Sequence, residues 1–169
     1  MSSKILLDEN KKYKFDFTNT NYVLELHQLA NSLMVNDVDF ITEINDEVLF
    51  IEYKNAEVVD AVNPDAMFEK INTDKFINNI SKKYYDSLLL FWGNGYDELG
   101  SKIKYILIIQ HPKIDLRVRK QLRNKLMGKL PVIRKNKQIM KGFISAFEVY
   151  NLNEWGEKFN NIKISKVES

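Results

Sequence analysis

The stretch DVDFITEINDEVLFIEYK, residues 37 to 54, constrains this chain more than any other part of it. Apolar residues recur at every second position on both sides of the turn-forming pair Asn45-Asp46, the pattern of two strands folded back on each other. Register in a hairpin is set by its turn. Ile44 then faces Glu47, and counting outward pairs Thr42 with Leu49, Phe40 with Ile51, and Asp39 with Glu52. Directly opposed residues share a face with Cβ atoms roughly 4.5–5.5 Å apart, and like charges placed there repel. At ~5 Å and an effective dielectric near ~20 that repulsion is about 3 kcal/mol. Lys54 lies two residues beyond Glu52 and points to the same face. Two acids and a lysine therefore meet at the end of the hairpin away from its turn, and a divalent cation is the simplest relief. The alternative is a solvated hairpin face with incidental charges.

An acid-x-Lys triplet says little by itself. The chain holds two, Glu9-Asn10-Lys11 in the polar run DENKK and Glu52-Tyr53-Lys54 in the apolar strand VLFIEYK. Only the second has a partner acid in register.

Around the hairpin, residues 12–17 alternate like a short edge strand, and residues 20–34 are ambiguous between helix and irregular structure. The hairpin strands fall at about 38–44 and 47–54. Asn63-Pro64-Asp65 predicts a helix start with Asn63 as cap, and Asn72-Thr73-Asp74 predicts a second. From the second, Ile77, Ile80, Tyr84, Leu88 and Phe91 keep helical spacing until Gly93-Asn94-Gly95 ends the run. Residues 104–110 form a continuous apolar strand of the kind buried on both faces. A helix is predicted at 115–128, stopped by Pro131, then a strand at 143–150 and a short helix capped by Asn153. Two helices thus follow the hairpin and each leads into another strand. The fold class expected is α/β, a mixed central sheet with helices on both faces.

No repeat or Pro/Gly linker divides the 169 residues, so a single domain spanning 1–169 is expected. The absence of cysteine excludes disulfides and thiolate metal sites. Apolar runs such as LLLFW and ILII are too short to span a bilayer, and a cytoplasmic protein with no membrane partner is expected. The net charge of +2 hides an asymmetry. Residues 1–101 hold 9 Lys/Arg against 18 Asp/Glu, whereas residues 102–141 hold 13 Lys/Arg and one acid, Asp115. Such a basic block is the electrostatic footprint of a surface that meets a polyanion. The alternatives are a solvated helix and loop, or packing against the acidic half. The histidines, His27 and His111, have no metal-ligand spacing, and no Gly-rich phosphate cradle is present.

Asp39, followed across the hairpin by Glu52-Tyr53-Lys54 and then by a helix and a buried strand, resembles the PD-(D/E)XK, or restriction-endonuclease-like, nuclease superfamily. Val38 stands where the usual proline precedes the aspartate. More loosely, VDFITE, FIEYKN, KKYYDS, KLPV and NLNEW look like an uncharacterised group of bacterial proteins, a likeness that brings no activity with it.

The superfamily resemblance implies a restriction-endonuclease-like fold and a metal-dependent nuclease that hydrolyses phosphodiester bonds, in DNA before RNA. It implies Asp39, Glu52 and Lys54 as the catalytic core. Asp39, Glu52, the Tyr53 backbone carbonyl and Glu25, taken as lying on the first helix, would hold Mg²⁺ or Mn²⁺. Lys83, in the helix after the hairpin, falls where related nucleases support the site or contact phosphate. From the basic block, Arg117, Lys120 and Arg123 are candidates for nucleic-acid contact, although the bases of that helix flank its apolar stripe on both sides. A homodimer is an allowed assembly. The alternative function is a catalytically inactive module of the same fold that binds nucleic acid or protein. The two differ in geometry: the first needs Asp39 and Glu52 converging beside a cleft, the second has them splayed or Lys54 closing on Glu52.

Overall fold

In the computed structural model, residues 4–56, 63, 65–96, 102–130 and 144–168 are described. Their elements are, in order, β1 (Ile5–Leu7), β2 (Tyr13–Asp16), β3 (Val23–Leu24), α1 (His27–Ser32), β4 (Phe40–Ile44) and β5 (Glu47–Asn55). There follow α2 (Ala66–Lys70), α3 (Asp74–Gly93), β6 (Lys102–Gln110), α4 (Leu116–Met127), β7 (Ala146–Tyr150), α5 (Leu152–Lys158) and β8 (Lys163–Lys166).

The hairpin has the register its sequence dictates, with Phe40 opposite Ile51, Thr42 opposite Leu49 and Ile44 opposite Glu47. Asn45 and Asp46 have φ of 51° and 60°, so both turn residues are left-handed, as a two-residue turn matched to strand twist requires. β5 then pairs in parallel with β6 along its whole length, and β6 in parallel with β7. The sheet is mixed and five-stranded, in the order β3-β4-β5-β6-β7. Parallel pairs need crossovers, and α3 and α4 occupy the two links.

The alternation along β5 sorts the core. Val48 and Phe50 pack with Ile77, Tyr84 and Phe91 of α3 and with Leu122 and Leu126 of α4. Leu49, Ile51 and Tyr53 turn to the other face and meet Tyr13, Phe15 and Phe17. That second face departs from expectation. It is covered by a three-stranded antiparallel sheet, order β1-β2-β8, together with α5, whose Trp155 is buried there. Long helices therefore cover only one face. Strand 12–17 is not an edge strand: β2 runs between β1 and β8, pairing Phe15 with both Leu6 and Ile164.

Local signals explain most boundaries. The Thr73 side chain accepts from the Phe76 N–H and caps α3, and Asn94 closes it. Asp115 caps α4 through the Val118 N–H. Two predicted caps are displaced. Asp65, not Asn63, precedes α2, because Asn63 Oδ1 is turned onto the Asp65 N–H. Asn151, not Asn153, caps α5, in a reciprocal pair with Glu154. The ambiguous stretch 20–34 splits into β3 and α1. Pro64, Pro131 and the expected start of the last strand at 143 lie outside the described residues. Among the described residues no helix is long and apolar enough to cross a membrane.

Candidate functional site

β4 begins at Phe40, so the preceding residue, Asp39, stands just beyond the paired part of the hairpin. There the Tyr53 N–H has no β4 backbone to bond, and Asp39 Oδ2 accepts it at 2.7 Å. In an extended strand the N–H and C=O of one residue point to the same edge. The Tyr53 carbonyl is therefore directed to the side on which Asp39 sits. Asp39 is itself fixed from behind. The Asn36 N–H donates to Asp86 Oδ2 at 2.8 Å and the Val38 N–H to Ser87 Oγ at 2.8 Å, so α3 holds the segment leading into the aspartate.

Glu52 is 0% exposed, in a sheet whose other buried residues are mostly apolar. An ionised carboxylate there must be matched by charge. Two lysines match it. Lys54 Nζ lies 2.7 Å from Oε1, and Lys83 Nζ lies 2.8 Å from Oε1 and 3.0 Å from Oε2. Lys83 comes from α3, where Lys83 and Tyr84 diverge: Tyr84 enters the core and Lys83 turns to the acid. Burial drives the Asp39 carboxyl up to about 7; the Glu52 charge adds to this, and Lys54, Lys83 and the Tyr53 N–H only partly oppose it. Burial pulls the Lys54 ammonium down, but Glu52 and Asp39 outweigh it, and its pKa is raised. Tyr105, across on β6, has its phenol pushed far up, by burial and then by the charges of Glu52 and Asp39. The pair of acids is thus electrostatically coupled.

Glu25, Asp39, Tyr53, Lys54 and Lys83 line a cavity of about 420 Å³, whereas Glu52, fully buried, does not reach its surface. Glu9, on the β1–β2 turn, with His27 and Asp37, forms another part of the lining, and His27 Nδ1 is 3.3 Å from Asp37 Oδ1. The structure brings together Glu52, Tyr53 and Lys54 of β5, Lys83 of α3 and Asp39 from the segment leading into β4. Glu25 joins their cavity, but not from the first helix: it lies in the link between β3 and α1 and is exposed. Glu43, on the face of Asp39 but nearer the turn, accepts from Asn21 at 3.1 Å, outside this lining.

The basic candidates of α4 lie elsewhere. Arg117 and Lys120 are exposed, and Arg123 pairs with Glu148 at 2.9 Å and donates to the Phe147 carbonyl at 3.0 Å. Sequence reasoning missed Ser87, which carries no motif; only its helical position facing the β4 approach gives it a role. It also missed Arg119, whose guanidinium is buried.

The donor set suits a hard cation. All the candidate ligand atoms are oxygens, and the raised Asp39 pKa means the present surroundings leave its negative charge undercompensated. Among the described residues no group of three or more His, Cys, Asp or Glu stands ready around a metal position. Two carboxylates with a peptide carbonyl would leave most of a Mg²⁺ shell to water, which that ion tolerates. Compared with protein-family models, with curated proteins and with solved structures, the chain finds no match.

Proposed function

We propose that this protein is a divalent-metal-dependent nuclease with a restriction-endonuclease-like site, hydrolysing phosphodiester bonds in DNA before RNA. The observation that carries the reading is that Asp39, Lys54 and Lys83 line one open cavity while the fully buried Glu52 is gripped by both lysines, with the Asp39 pKa held near 7 by burial and by its fellow acid. Asp39 and Glu52 would hold Mg²⁺ or Mn²⁺, with the Tyr53 carbonyl and Glu25 as further oxygens. The bound cation supplies a lowered water pKa and a countercharge for the phosphoryl oxygens.

The protein's own groups do the rest. Lys54 orients the attacking water or steadies charge developing on the phosphoryl group. Lys83 holds Glu52 from the α3 side and leaves Lys54 able to turn toward substrate. Ser87 and Asp86 keep Asp39 in place. In the overall step water adds to phosphorus and releases one proton to solvent, one P–O ester bond breaks, and the departing oxygen takes a proton from solvent.

A second reading, a module of this fold that binds nucleic acid without turnover, is favoured by one observation: Lys54 closes on Glu52 at 2.7 Å, so the acid is already neutralised. One experiment separates them. The wild type is incubated with labelled single-stranded and duplex DNA and Mg²⁺ or Mn²⁺, beside Asp39→Ala. Cleavage that disappears in Asp39→Ala supports the nuclease. Cleavage that persists in the variant contradicts the mechanism, and binding without cleavage in either leaves the inactive module.

A further inference from the structure

A second candidate site lies between α4, the edge strand β7 and α5. Its groove has a volume of about 380 Å³ and is lined by Arg119, Lys120 and Arg123 of α4, with Glu148 of β7 and Glu154 of α5. Two of the bases are matched: Arg119 reaches Glu154 at 2.8 Å and Arg123 reaches Glu148 at 2.9 Å. The third, Lys120, is exposed and has no ion-pair or hydrogen-bond partner among the described residues. Arg119 is only 6% exposed, and its Nε is a buried donor with no acceptor. The Arg119 N–H is sealed from the groove, so the surplus donor its lining offers to an anionic ligand is the Lys120 ammonium.

Position adds a second argument. β5, β6 and β7 are parallel and adjacent, so their carboxyl ends lie along one edge of the sheet. Lys54 stands at that end of β5, and Tyr150, which lines the groove, at that end of β7. Two strand spacings separate them, roughly 10 Å. A nucleic-acid strand advances about 3.4 Å per nucleotide along its axis, so this is the reach of about three nucleotides.

We propose that this groove is a phosphate subsite that holds the nucleic-acid backbone flanking the cavity at Asp39, with Lys120 as its donor. The proposal rests on the nuclease-like reading for its partner and is tested by binding, independently of turnover. Wild type, Lys120→Glu and Lys14→Glu are titrated against a fluorescein-labelled oligonucleotide of about twelve nucleotides, by anisotropy over a range of salt. Lys120 is exposed and unpartnered, so its substitution leaves the fold intact. Lys14 is an exposed residue on β2, in the other sheet, and controls for net charge. Lys120→Glu is expected to weaken binding about five-fold or more and to reduce the salt slope by about one or more, whereas Lys14→Glu stays within about two-fold of wild type. Equal affinity of Lys120→Glu and wild type, or an equal loss in Lys14→Glu, overturns the subsite. The small diester bis(p-nitrophenyl) phosphate with Mn²⁺ is assayed on the wild type alongside. Hydrolysis together with Lys120-independent binding overturns the groove and leaves the nuclease standing; Lys120-dependent binding without hydrolysis supports the groove and removes the nuclease.

Discussion

Lys83 of α3 reaches both carboxylate oxygens of Glu52, 31 residues earlier in the chain, at 2.8 Å and 3.0 Å. The contact ties the helix after the hairpin to the strand that carries the acid, and it makes Glu52 a fully buried charge with two counterions rather than one.

Removing one partner of such a group leaves the other charge uncompensated. Lys83→Met is expected to destabilise the protein by about 2 kcal/mol or more, less than the 3–5 kcal/mol of a fully buried pair because the lysine is partly exposed. Urea unfolding at neutral pH measures it. A midpoint equal to wild type would mean that Lys54 alone balances Glu52.

Ser87 Oγ accepts a hydrogen bond from the Val38 N–H, and both residues are buried. Ser87→Ala leaves that N–H without an acceptor, at a cost of about 1–3 kcal/mol. Because Val38 precedes Asp39, the same variant is expected to lose metal affinity as well as stability. A stability loss with unchanged Mn²⁺ affinity would show that the tether serves the fold only.

The Asp39 pKa sets a pH dependence of unusual sign. The carboxyl ionises near 7 in the folded protein against an ordinary value of 3.8. Between about pH 4 and 7 the folded state therefore binds more protons than the unfolded state, and stability falls as pH rises. The full cost is present above about pH 7. Three units correspond to about 4 kcal/mol at most, and the partial exposure of Asp39 brings this nearer about 2 kcal/mol. Asp39→Asn keeps an acceptor for the Tyr53 N–H and removes the charge. It is expected to be the more stable protein at pH 8, with the difference vanishing near pH 4. Denaturant midpoints across that range decide it; parallel curves for the two proteins would be the contrary result.

The turn offers a test of the hairpin itself. Asp46 sits at a φ of 60°, a conformation glycine adopts without strain. Asp46→Gly is expected to raise stability by about 0.5 kcal/mol, since Asn-Gly is the preferred pair for a turn with two left-handed residues. A drop in melting temperature would argue that the Asp46 side chain has a role the backbone does not reveal.

What could be read from the sequence was what depends on short-range period. Strand alternation and the Asn45-Asp46 turn specify which residues oppose one another, so Phe40 with Ile51 and the shared face of Glu52 and Lys54 follow from counting; the ladder stops at Phe40, so the counted pair of Asp39 with Glu52 is not part of it, and Asp39 instead accepts from the Tyr53 N–H. The continuous apolar run of β6 marks a strand buried on both faces, and it lies inside the sheet between β5 and β7. Long-range pairings gave no such signal. β1 and β8 come from opposite ends of the chain and are short, with Ile5, Leu7 and Lys163 exposed, so neither declares itself and the β1-β2-β8 sheet could not be counted out. The α5 cap was legible and misplaced: Asn151 stands three residues before Glu154, the spacing of a reciprocal cap, and Asn153 does not. Lys83 was legible as a position on α3, but its grip on Glu52 depends on how helix and sheet pack. Ser87 and Arg119 gave no sign, because a serine or arginine in a helix discloses nothing until its neighbours are known.

The central claim is that Asp39 and Glu52 are held together to take a divalent cation. Isothermal titration of Mn²⁺ into wild type and Asp39→Ala at pH 8 tests it most directly. The account predicts saturable binding by the wild type, weakening as pH falls below about 7 where a proton competes for Asp39, and no binding by the variant. Absence of binding by the wild type, or equal binding by both proteins, would contradict it.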